Sequence, residues 1–374
     1  MSRGVPVLNL QAQYTGLREA IHAAAERVFA RQEFILGEEV EALEEALAAW
    51  LKISHVIACA SGTDALRLAL MALDIGPGDE VITTPFSFFA TASAIALSGA
   101  RPVFADIEAA SFNLNPAELE ARIGPRTRAI MPVHLYGRPA SMGAIRAIAE
   151  RHHLPVIEDA AQAIGATYGG QCAGTLGTLG CFSFYPTKNL GGAGDGGMLA
   201  TSDAGLAARL RRLRAHGATQ PYIHAELGLN SRLDALQAAV LRVKLPHLQS
   251  WNAGRRDKAA IYSELFQTAG LTGHLALPGE PEDGVHAWHQ YVIRLPRRDA
   301  ARQFLAARGI QTQVYYPMPL HLQPALAYLG HQAGEFPESE RASREVLALP
   351  LYPELPREHQ LQVVQAISDF VRVA

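Results

Sequence analysis

The sequence predicts an α/β protein whose large domain has a mainly parallel sheet and is followed by a smaller C-terminal α/β domain. Three observations support this prediction. Short, almost continuously apolar runs alternate with helical patterns up to about residue 200, as parallel strands covered on both faces require. A long helical stretch with a Gly- and Pro-rich end then precedes a second, shorter strand–helix pattern. The length of 374 residues also exceeds that of one small domain. We place the domains at 1–248 and 249–374.

The individual elements follow from apolar spacing. Helical patterns open the chain at about 17–31 and 38–51. The predicted strands of the large domain are 55–59, 80–84, 102–105, 128–133, 155–158, 180–184 and 198–201. The helices between them include 64–73, 91–98 and 142–153. The small domain is predicted to contain a strand at 291–295, a helix at 298–308, a strand at 311–315 and a closing helix at 356–371.

Composition excludes several classes of protein. The formal net charge is −3 with nearly balanced signs, and only Arg211-Arg212-Leu213-Arg214 is locally basic, so no nucleic-acid partner is expected. The three cysteines, Cys59, Cys172 and Cys181, have neither disulfide-framework nor zinc-ligand spacing, which predicts no metal site. The absence of a signal-peptide pattern and of an apolar run of membrane-spanning length predicts a cytoplasmic protein with no membrane partner.

Two motifs lie where an open parallel sheet binds its ligand. Ser61-Gly62-Thr63-Asp64 follows the first predicted strand and opens a helix. Its N–H groups suit a phosphate, although an ordinary capped helix start would use the same residues. Glu158 and Asp159 end a buried strand, and a carboxylate there can hold a protonated pyridine nitrogen. A metal ligand or a helix cap is the alternative for this pair, and Gln162 could reach the same pocket.

Lys188 is the most specific feature of the sequence. It follows an apolar strand and Pro186, and glycines crowd its downstream side. Most lysines are solvated surface groups, but desolvation in a pocket lowers the lysine pKa from about 10.4. The resulting amine can form a Schiff base with an aldehyde. Ser183 could add a hydroxyl to a phosphate site.

A glycine-rich segment at 192–197 matches the spacing Gly-x-Gly-x-x-Gly. In dinucleotide-binding proteins this pattern lies between a strand and a helix, whereas here it precedes a predicted strand. We therefore reject a dinucleotide site and predict a glycine-rich hairpin or loop that lets a substrate pass.

Together, these motifs resemble the DegT/DnrJ/EryC1/StrS family of sugar-nucleotide aminotransferases, which are pyridoxal-phosphate (PLP) enzymes of the aspartate-aminotransferase-like fold type I. The similarity is a collinear series of segments over nearly the whole chain. The segments are Phe34-Ile-Leu-Gly37, Ser61-Gly-Thr63, Gly78-Asp-Glu-Val-Ile82, Pro132-Val-His-Leu-Tyr-Gly137, Glu158-Asp-Ala160, Phe182-Ser-Phe-Tyr-Pro-Thr-Lys188, Arg214-Ala-His-Gly217, Gly228-Leu-Asn-Ser-Arg232 and Pro319-Leu-His-Leu-Gln-Pro324.

The resemblance implies which residues hold the cofactor. Lys188 would form the Schiff base with PLP, and Asp159 would hold its pyridine nitrogen. Gln162 would bond its phenolic oxygen, and Phe88 would stack on its ring. The cofactor phosphate would be bound by Gly62, Thr63 and Ser183.

The resemblance also implies partners. Asn230 matches an asparagine that reaches the phosphate from the neighbouring subunit, so the protein would be a homodimer with shared active sites. The substrates would be a nucleotide sugar and glutamate, and the cofactor would alternate between PLP and its amine form, PMP. Positions that face the sugar are matched by Tyr185, Tyr315 and His321.

The implied reaction moves an amino group from glutamate to a keto-deoxysugar nucleotide. Some relatives have histidine in place of the Schiff-base lysine and act as dehydratases, so the presence of Lys188 favours transamination. Residues 314–324, followed by 334–340, resemble the 3-aminotransferase branch, which predicts a dTDP-linked 3-keto-6-deoxyhexose and a 3-amino product. The alternative is that this stretch only packs the small domain. A 4-keto sugar nucleotide is the alternative. Another PLP reaction, such as elimination or decarboxylation, and a non-catalytic regulatory protein on the same fold are further interpretations.

Overall fold

The computed structural model of the protein describes residues 4–373. Its helices are α1 (Leu10–Thr15), α2 (Arg18–Arg31), α3 (Glu38–Leu51), α4 (Gly62–Ala72), α5 (Phe89–Leu97), α6 (Leu119–Arg122), α7 (Met142–Arg151), α8 (Ala204–Leu213), α9 (Ala235–Lys244), α10 (Leu248–Thr268), α11 (Arg298–Ala306), α12 (Pro337–Glu345) and α13 (Arg357–Val373). Its strands are β1 (His55–Cys59), β2 (Glu80–Thr83), β3 (Arg101–Phe104), β4 (Thr127–Met131), β5 (Ile157–Asp159), β6 (Thr167–Tyr168), β7 (Gln171–Cys172), β8 (Leu179–Ser183), β9 (Gly197–Thr201), β10 (Ala218–Gln220), β11 (Ile223–His224), β12 (Gly284–Val285), β13 (Tyr291–Arg294) and β14 (Val346–Leu349).

The large domain is built on two adjoining groups of strands. One has the order β1-β9-β8-β5 and the other β3-β2-β4. They meet where parallel bridges join Ile130 to Val156 and Val133 to Asp159. Only β9 in these two groups runs against its neighbours, β1 and β8. The predicted mainly parallel sheet is confirmed, with one antiparallel strand inserted in it.

Helices cover both faces of this sheet, which explains why its strands are almost continuously apolar. Within β1, Val56 and Ala58 pack in a buried cluster with Leu43 of α3 and Leu241 of α9. The intervening Ile57 and Cys59 pack in a second cluster with α4 and α8. Successive side chains of a strand point to opposite faces, so each face of β1 has its own core.

The C-terminal domain has a separate core around the antiparallel pair β13–β14. It includes large buried side chains from α10, β13 and α11. Val5 joins this core, because its N–H donates to the Gly309 carbonyl and it bridges Ile310. The beginning of the chain therefore packs with the C-terminal domain, although the sequence prediction grouped it with the large domain. The predicted strand at 311–315 is reduced to a bridge between Gln313 and Ala348, and β14 takes its place beside β13.

Asp106 of the large domain ties α12 of the C-terminal domain to it. Its carboxylate accepts hydrogen bonds from the N–H groups of Glu338 (2.9 Å) and Ser339 (3.0 Å) and from the Ser339 hydroxyl. The first N–H groups of a helix have no partners within the helix. A carboxylate from another domain therefore caps α12.

None of the helices within the described range combines the length and apolar character that a bilayer span requires.

Candidate active site

A cavity of about 610 Å³ opens where several strands of the large domain end. Because β1, β2, β4, β5 and β8 run in one direction, their carboxyl ends meet at one edge of the sheet. The loops after them line the cavity, together with residues of the C-terminal domain. Nine of the eleven residues predicted for the site line it: Gly62, Thr63, Phe88, Asp159, Gln162, Ser183, Tyr185, Lys188 and Tyr315.

Lys188 lies in the turn after β8. Its backbone N–H donates to the Tyr185 carbonyl (2.8 Å), and Pro186 lies within that turn. Lys188 is partly buried and lines the cavity. Burial lowers the pKa of Lys188 to about 8, an effect that the nearby charge of Asp159 partly opposes. A larger fraction of this amine is therefore unprotonated at neutral pH than in water, as a nucleophile requires.

Asp159 is the last residue of β5, and its carboxylate is fixed from two sides. The Thr91 hydroxyl donates to Oδ2 (2.8 Å), and the Ala161 N–H donates to Oδ1 (3.2 Å). Thr91 in turn contacts the Ser87 hydroxyl (2.9 Å). Burial raises the pKa of Asp159 in spite of these donors. A cationic group in the cavity would stabilise the ionised carboxylate, and a protonated pyridine nitrogen is such a group.

Glu158 has a structural role instead. Its fully buried carboxylate accepts hydrogen bonds from the N–H groups of Gly174 (2.7 Å), Leu176 (2.6 Å) and Gly177 (2.5 Å). It also contacts His134 Nε2 at 2.8 Å. Because His134 Nδ1 accepts from a backbone N–H, the imidazole hydrogen lies on Nε2 and is donated to Glu158. The two neighbouring acids point to opposite faces of β5, so only Asp159 serves the cavity.

The N-terminus of α4 is both an ordinary helix cap and a candidate phosphate site, the two interpretations of Ser61-Gly62-Thr63-Asp64. The Ser61 hydroxyl accepts from the Asp64 N–H (3.1 Å), so Ser61 is an ordinary N-cap. Gly62 and Thr63 nevertheless line the cavity with Ser183. A Cβ added to Gly62 would lie 2.7 Å from the Ser183 Cβ, so glycine lets strand β8 approach the helix end. The Ser183 oxygen accepts from the Tyr185 N–H (3.2 Å), which leaves its hydrogen free to donate to a phosphate.

Gln162 and Phe88 both contact Tyr316. The Gln162 Oε1 accepts from the Tyr136 N–H (2.7 Å), which orients the amide, and its Nε2 donates to the Tyr316 hydroxyl (3.2 Å). The Phe88 ring is 57% exposed, and its centroid is 6.1 Å from that of Tyr316. Phe88 therefore presents a free aromatic face to the cavity.

Asn230 and His321 are not brought to this cavity within the chain. Asn230 is exposed and bridges Ala215. His321 is buried, with its ring 4.7 Å from that of Phe336 and its Nε2 3.2 Å from Glu340. The prediction that His321 faces the substrate is therefore not supported by its position, which is in the packing of the C-terminal domain. A contact of Asn230 with a neighbouring subunit stays a prediction.

Sequence reasoning missed three residues that complete the site. Thr91 fixes Asp159, Tyr316 contacts Gln162, and His289 lines the cavity beside Lys188. His289 Nδ1 faces the Asn189 Oδ1 (3.1 Å). Each contact joins residues far apart in the chain, so no local spacing could have revealed it.

The glycine-rich segment at 192–197 leads into strand β9 and not into a helix. Gly192 N–H donates to the Phe184 carbonyl (2.7 Å), and Asp195 and Gly196 line the cavity. The rejection of a dinucleotide fingerprint is confirmed.

The residues present fit pyridoxal phosphate. The glycine contact with Ser183 provides a cradle for the phosphate, Asp159 offers a buried carboxylate, and Lys188 provides an amine. Gln162 offers an amide donor in the cavity that the Phe88 ring also lines. Gly62 and Ser183 would hold the phosphate, and Asp159 would hold the ring nitrogen. Lys188 would bind the aldehyde carbon, and Gln162 would bond the phenolic oxygen.

Comparison with known proteins gives a consistent result. The model of the DegT/DnrJ/EryC1/StrS aminotransferase family matches residues 16–368. A "Pleiotropic regulatory protein" of Geobacillus stearothermophilus is 52% identical over 98% of this chain and 99% of its own length. The UDP-N-acetyl-3-dehydro-alpha-D-glucosamine 3-aminotransferase of Acidithiobacillus ferrooxidans is 48% identical, with coverage of 97% and 96%. The dTDP-3-amino-3,4,6-trideoxy-alpha-D-glucose transaminase of Streptomyces venezuelae is 46% identical, with coverage of 98% and 96%.

A solved structure has nearly the same fold. The S. venezuelae protein DesV, crystallised in complex with a ketimine intermediate, superposes with a TM-score of 0.95 at 45% sequence identity. The match covers 99% of each chain. The predicted fold type I architecture is therefore confirmed.

Proposed function

Since this chain belongs to the DegT/DnrJ/EryC1/StrS aminotransferase family, whose members depend on PLP, we propose that it transfers an amino group from glutamate to a keto sugar carried on a nucleotide. The observation that carries this proposal is the pairing of the buried amine of Lys188 with the carboxylate of Asp159 in one cavity. When bound, PLP supplies a carbon that accepts and releases the amino group, and a ring that withdraws electrons.

The residues of the chain divide the work between binding and proton transfer. Asp159 would keep the ring nitrogen protonated, because Thr91 and Ala161 hold its two oxygens in place. Lys188 Nζ would remove the proton from the α-carbon of glutamate, a general-base role that is typically worth about 10²–10⁴ in rate. The N-terminus of α4 would anchor the phosphate. Phe88 would cover one face of the ring.

We propose that the amino group is placed on C-3 of a dTDP-linked 3-keto-6-deoxy sugar. The names of two relatives, which describe 3-amino products or a 3-dehydro substrate, support this position. Tyr315 lines the cavity, and the Leu320 N–H donates to the carbonyl of Pro85 (2.7 Å), in the loop that carries Phe88. Residues 314–324 would thus set the position of the sugar relative to the cofactor. A displacement of about 1 Å can cost about 10²-fold in rate, so such positioning can select one carbon.

The decisive experiment supplies glutamate with 3-keto and 4-keto sugars, each linked to dTDP or UDP, and measures 2-oxoglutarate. NMR of the product identifies the aminated carbon. Amination at C-4 would refute the choice of carbon, and preference for UDP would refute the choice of nucleotide. Lys188→Ala should bind PMP and lose turnover, whereas turnover at the wild-type rate would refute the role of Lys188.

A regulatory function is a second candidate, since one relative at 52% identity carries the name of a regulatory protein. The complete set of Lys188, Asp159 and Gln162 in one cavity favours catalysis. The same assay separates the two functions: absence of 2-oxoglutarate with every sugar and donor would favour regulation.

We propose that the protein is a homodimer in which Asn230 completes the phosphate site of the neighbouring subunit. Support comes from the β10–β11 hairpin and the segment after it, where Tyr222 is 97% and Leu227 is 93% exposed. Large apolar side chains exposed in this way are typical of an interface. Mixing Lys188→Ala with Asn230→Ala should restore activity in hybrid dimers that contain one intact site. A fully active monomer in sedimentation would refute the proposal.

A further inference from the structure

A second cavity of about 90 Å³ lies behind one wall of the active-site cavity. Four residues line both cavities and form the wall between them: Thr187, His289, Gln290 and Tyr315. Thr187 directly precedes Lys188 in the chain. The small cavity is thus one layer of side chains away from the proposed reacting amine.

Arg255 of α10 lines this small cavity, and no carboxylate within residues 4–373 forms an ion pair with it, although the charge of Glu354 acts on it from beyond ion-pair distance. The residue is 4% exposed. Its Nη1 donates to the carbonyls of Trp288 (3.3 Å), His289 (3.2 Å) and Leu351 (3.2 Å). Its Nε is buried without a hydrogen-bond partner. Among the ion pairs within residues 4–373, none includes Arg255.

A buried guanidinium without a carboxylate partner would be stabilised by binding an anion. Burial lowers the pKa of Arg255 to about 10, so the group stays positively charged at neutral pH. Charges taken out of water are costly unless they are paired, and guanidinium groups match carboxylates through two parallel hydrogen bonds. The volume of about 90 Å³ is several times the roughly 10–15 Å³ that one water needs.

The main cavity lacks a cation for the amino donor. Lys188 is the sole lysine or arginine among the described residues that line it. Glutamate brings two carboxylates, and Lys188 must act as an uncharged amine. A carboxylate bound without a cationic partner in the same chain would therefore be poorly stabilised.

We propose that the Arg255 cavity is a carboxylate subsite for the amino donor. This inference rests on the proposed aminotransferase function. The donor enters by the main cavity, and one of its carboxylates passes the wall at Gln290 and Tyr315 to reach the guanidinium. Arg255 thereby orients the donor and takes no part in proton transfer.

The test uses glutarate, a dicarboxylate without an amino or keto group, which binds but cannot react. Isothermal titration of the cofactor-loaded protein measures its affinity. Arg255→Gln removes the charge, and Val7→Phe fills the cavity from the N-terminal segment without touching the hydrogen bonds of Arg255. Leu10→Phe introduces the same side chain at an exposed position outside the cavity and is the control.

We expect glutarate to bind about tenfold or more weakly to Arg255→Gln and Val7→Phe, as loss of a charged hydrogen bond predicts, and normally to Leu10→Phe. Absence of binding to the wild type, or unchanged binding to Val7→Phe, would overturn the subsite. Val7→Phe decides the matter if Arg255→Gln does not fold. Glutarate binding is measured without turnover. The subsite can therefore be tested even if the protein does not catalyse the proposed transamination.

Kinetics of Val7→Phe identify which carboxylate is bound. A higher KM for glutamate but not for glutamine would assign the subsite to the side-chain carboxylate. An equal rise for both donors would assign it to the α-carboxylate. In either case the KM for the keto sugar should stay within about twofold of the wild-type value, since uniform loss of donor binding leaves the other substrate unaffected. No rise for either donor would overturn the proposal.

Discussion

Lys188 should make the stability of the cofactor-free protein depend on pH. Burial lowers its pKa from 10.5 to about 8, because the protein solvates an ammonium less well than water does. Folding therefore costs free energy wherever the unfolded chain keeps this lysine protonated. Below pH 8 the cost is complete at about 3 kcal/mol, since one pKa unit corresponds to about 1.36 kcal/mol. Between pH 8 and 10.5 the unfolded chain holds more protons, so the cost falls as pH rises.

Lys188→Met removes the charge and keeps a flexible side chain. We expect the cofactor-free variant to have a free energy of unfolding about 3 kcal/mol above that of the cofactor-free wild type at pH 7. The difference should shrink towards zero by pH 10.5. Urea unfolding of both proteins at several pH values measures it, and Lys52→Met at an exposed position is the matched control. A difference that does not change with pH, or a less stable variant at pH 7, would refute the reasoning.

Three further predictions concern neighbouring groups. Gly62→Ala places a methyl group against Ser183 and should weaken PLP binding about tenfold or more in a fluorescence titration. Gly16→Ala, where the added methyl group meets no neighbour, should bind PLP normally. Equal PLP affinities of Gly62→Ala and the wild type would contradict the phosphate cradle. Glu158→Ala leaves three buried backbone donors unpaired. It should lower the free energy of unfolding by about 3 kcal/mol or more in urea, since each unpaired buried donor costs about 1–3 kcal/mol; a loss below about 1 kcal/mol would contradict its structural role. Thr91→Val removes a donor to Asp159 and should raise the pKa of that carboxyl further, which shifts the acidic limb of the kcat–pH profile to higher pH. Thr91→Ser keeps the hydroxyl and should leave the limb in place. An unshifted limb in Thr91→Val would show that the hydroxyl does not position Asp159.

The position of the candidate site was predictable because its residues lie at or just after the carboxyl ends of strands. Asp159 ends strand β5, and Gly62 and Lys188 follow strands β1 and β8. Parallel strands bring such positions to one edge of the sheet. That argument needs only the order of elements along the chain. The same argument shows why the glycine pattern at 192–197 could be rejected as a dinucleotide site, since a strand and not a helix was predicted after it.

Other features depend on contacts that sequence spacing does not encode. The direction of β9 was hidden, because a fully buried strand is apolar whichever way it runs. The hydroxyl of Thr91 reaches Asp159 across 68 positions, and the local pattern around Thr91 shows only a helix. His321 was assigned from resemblance alone, and the tertiary packing against Phe336 places it elsewhere.

The cap that Asp106 provides for α12 has a consequence for motion between the domains. If the two domains separated, the N–H groups of Glu338 and Ser339 would lose their acceptor, and the first turn of the helix would fray. Separation of the domains and fraying of α12 are thus thermodynamically linked, so the Asp106 contact opposes movement of one domain away from the other. Hydrogen–deuterium exchange at the Ser339 amide therefore reports how often the domains part, without any label at the active site.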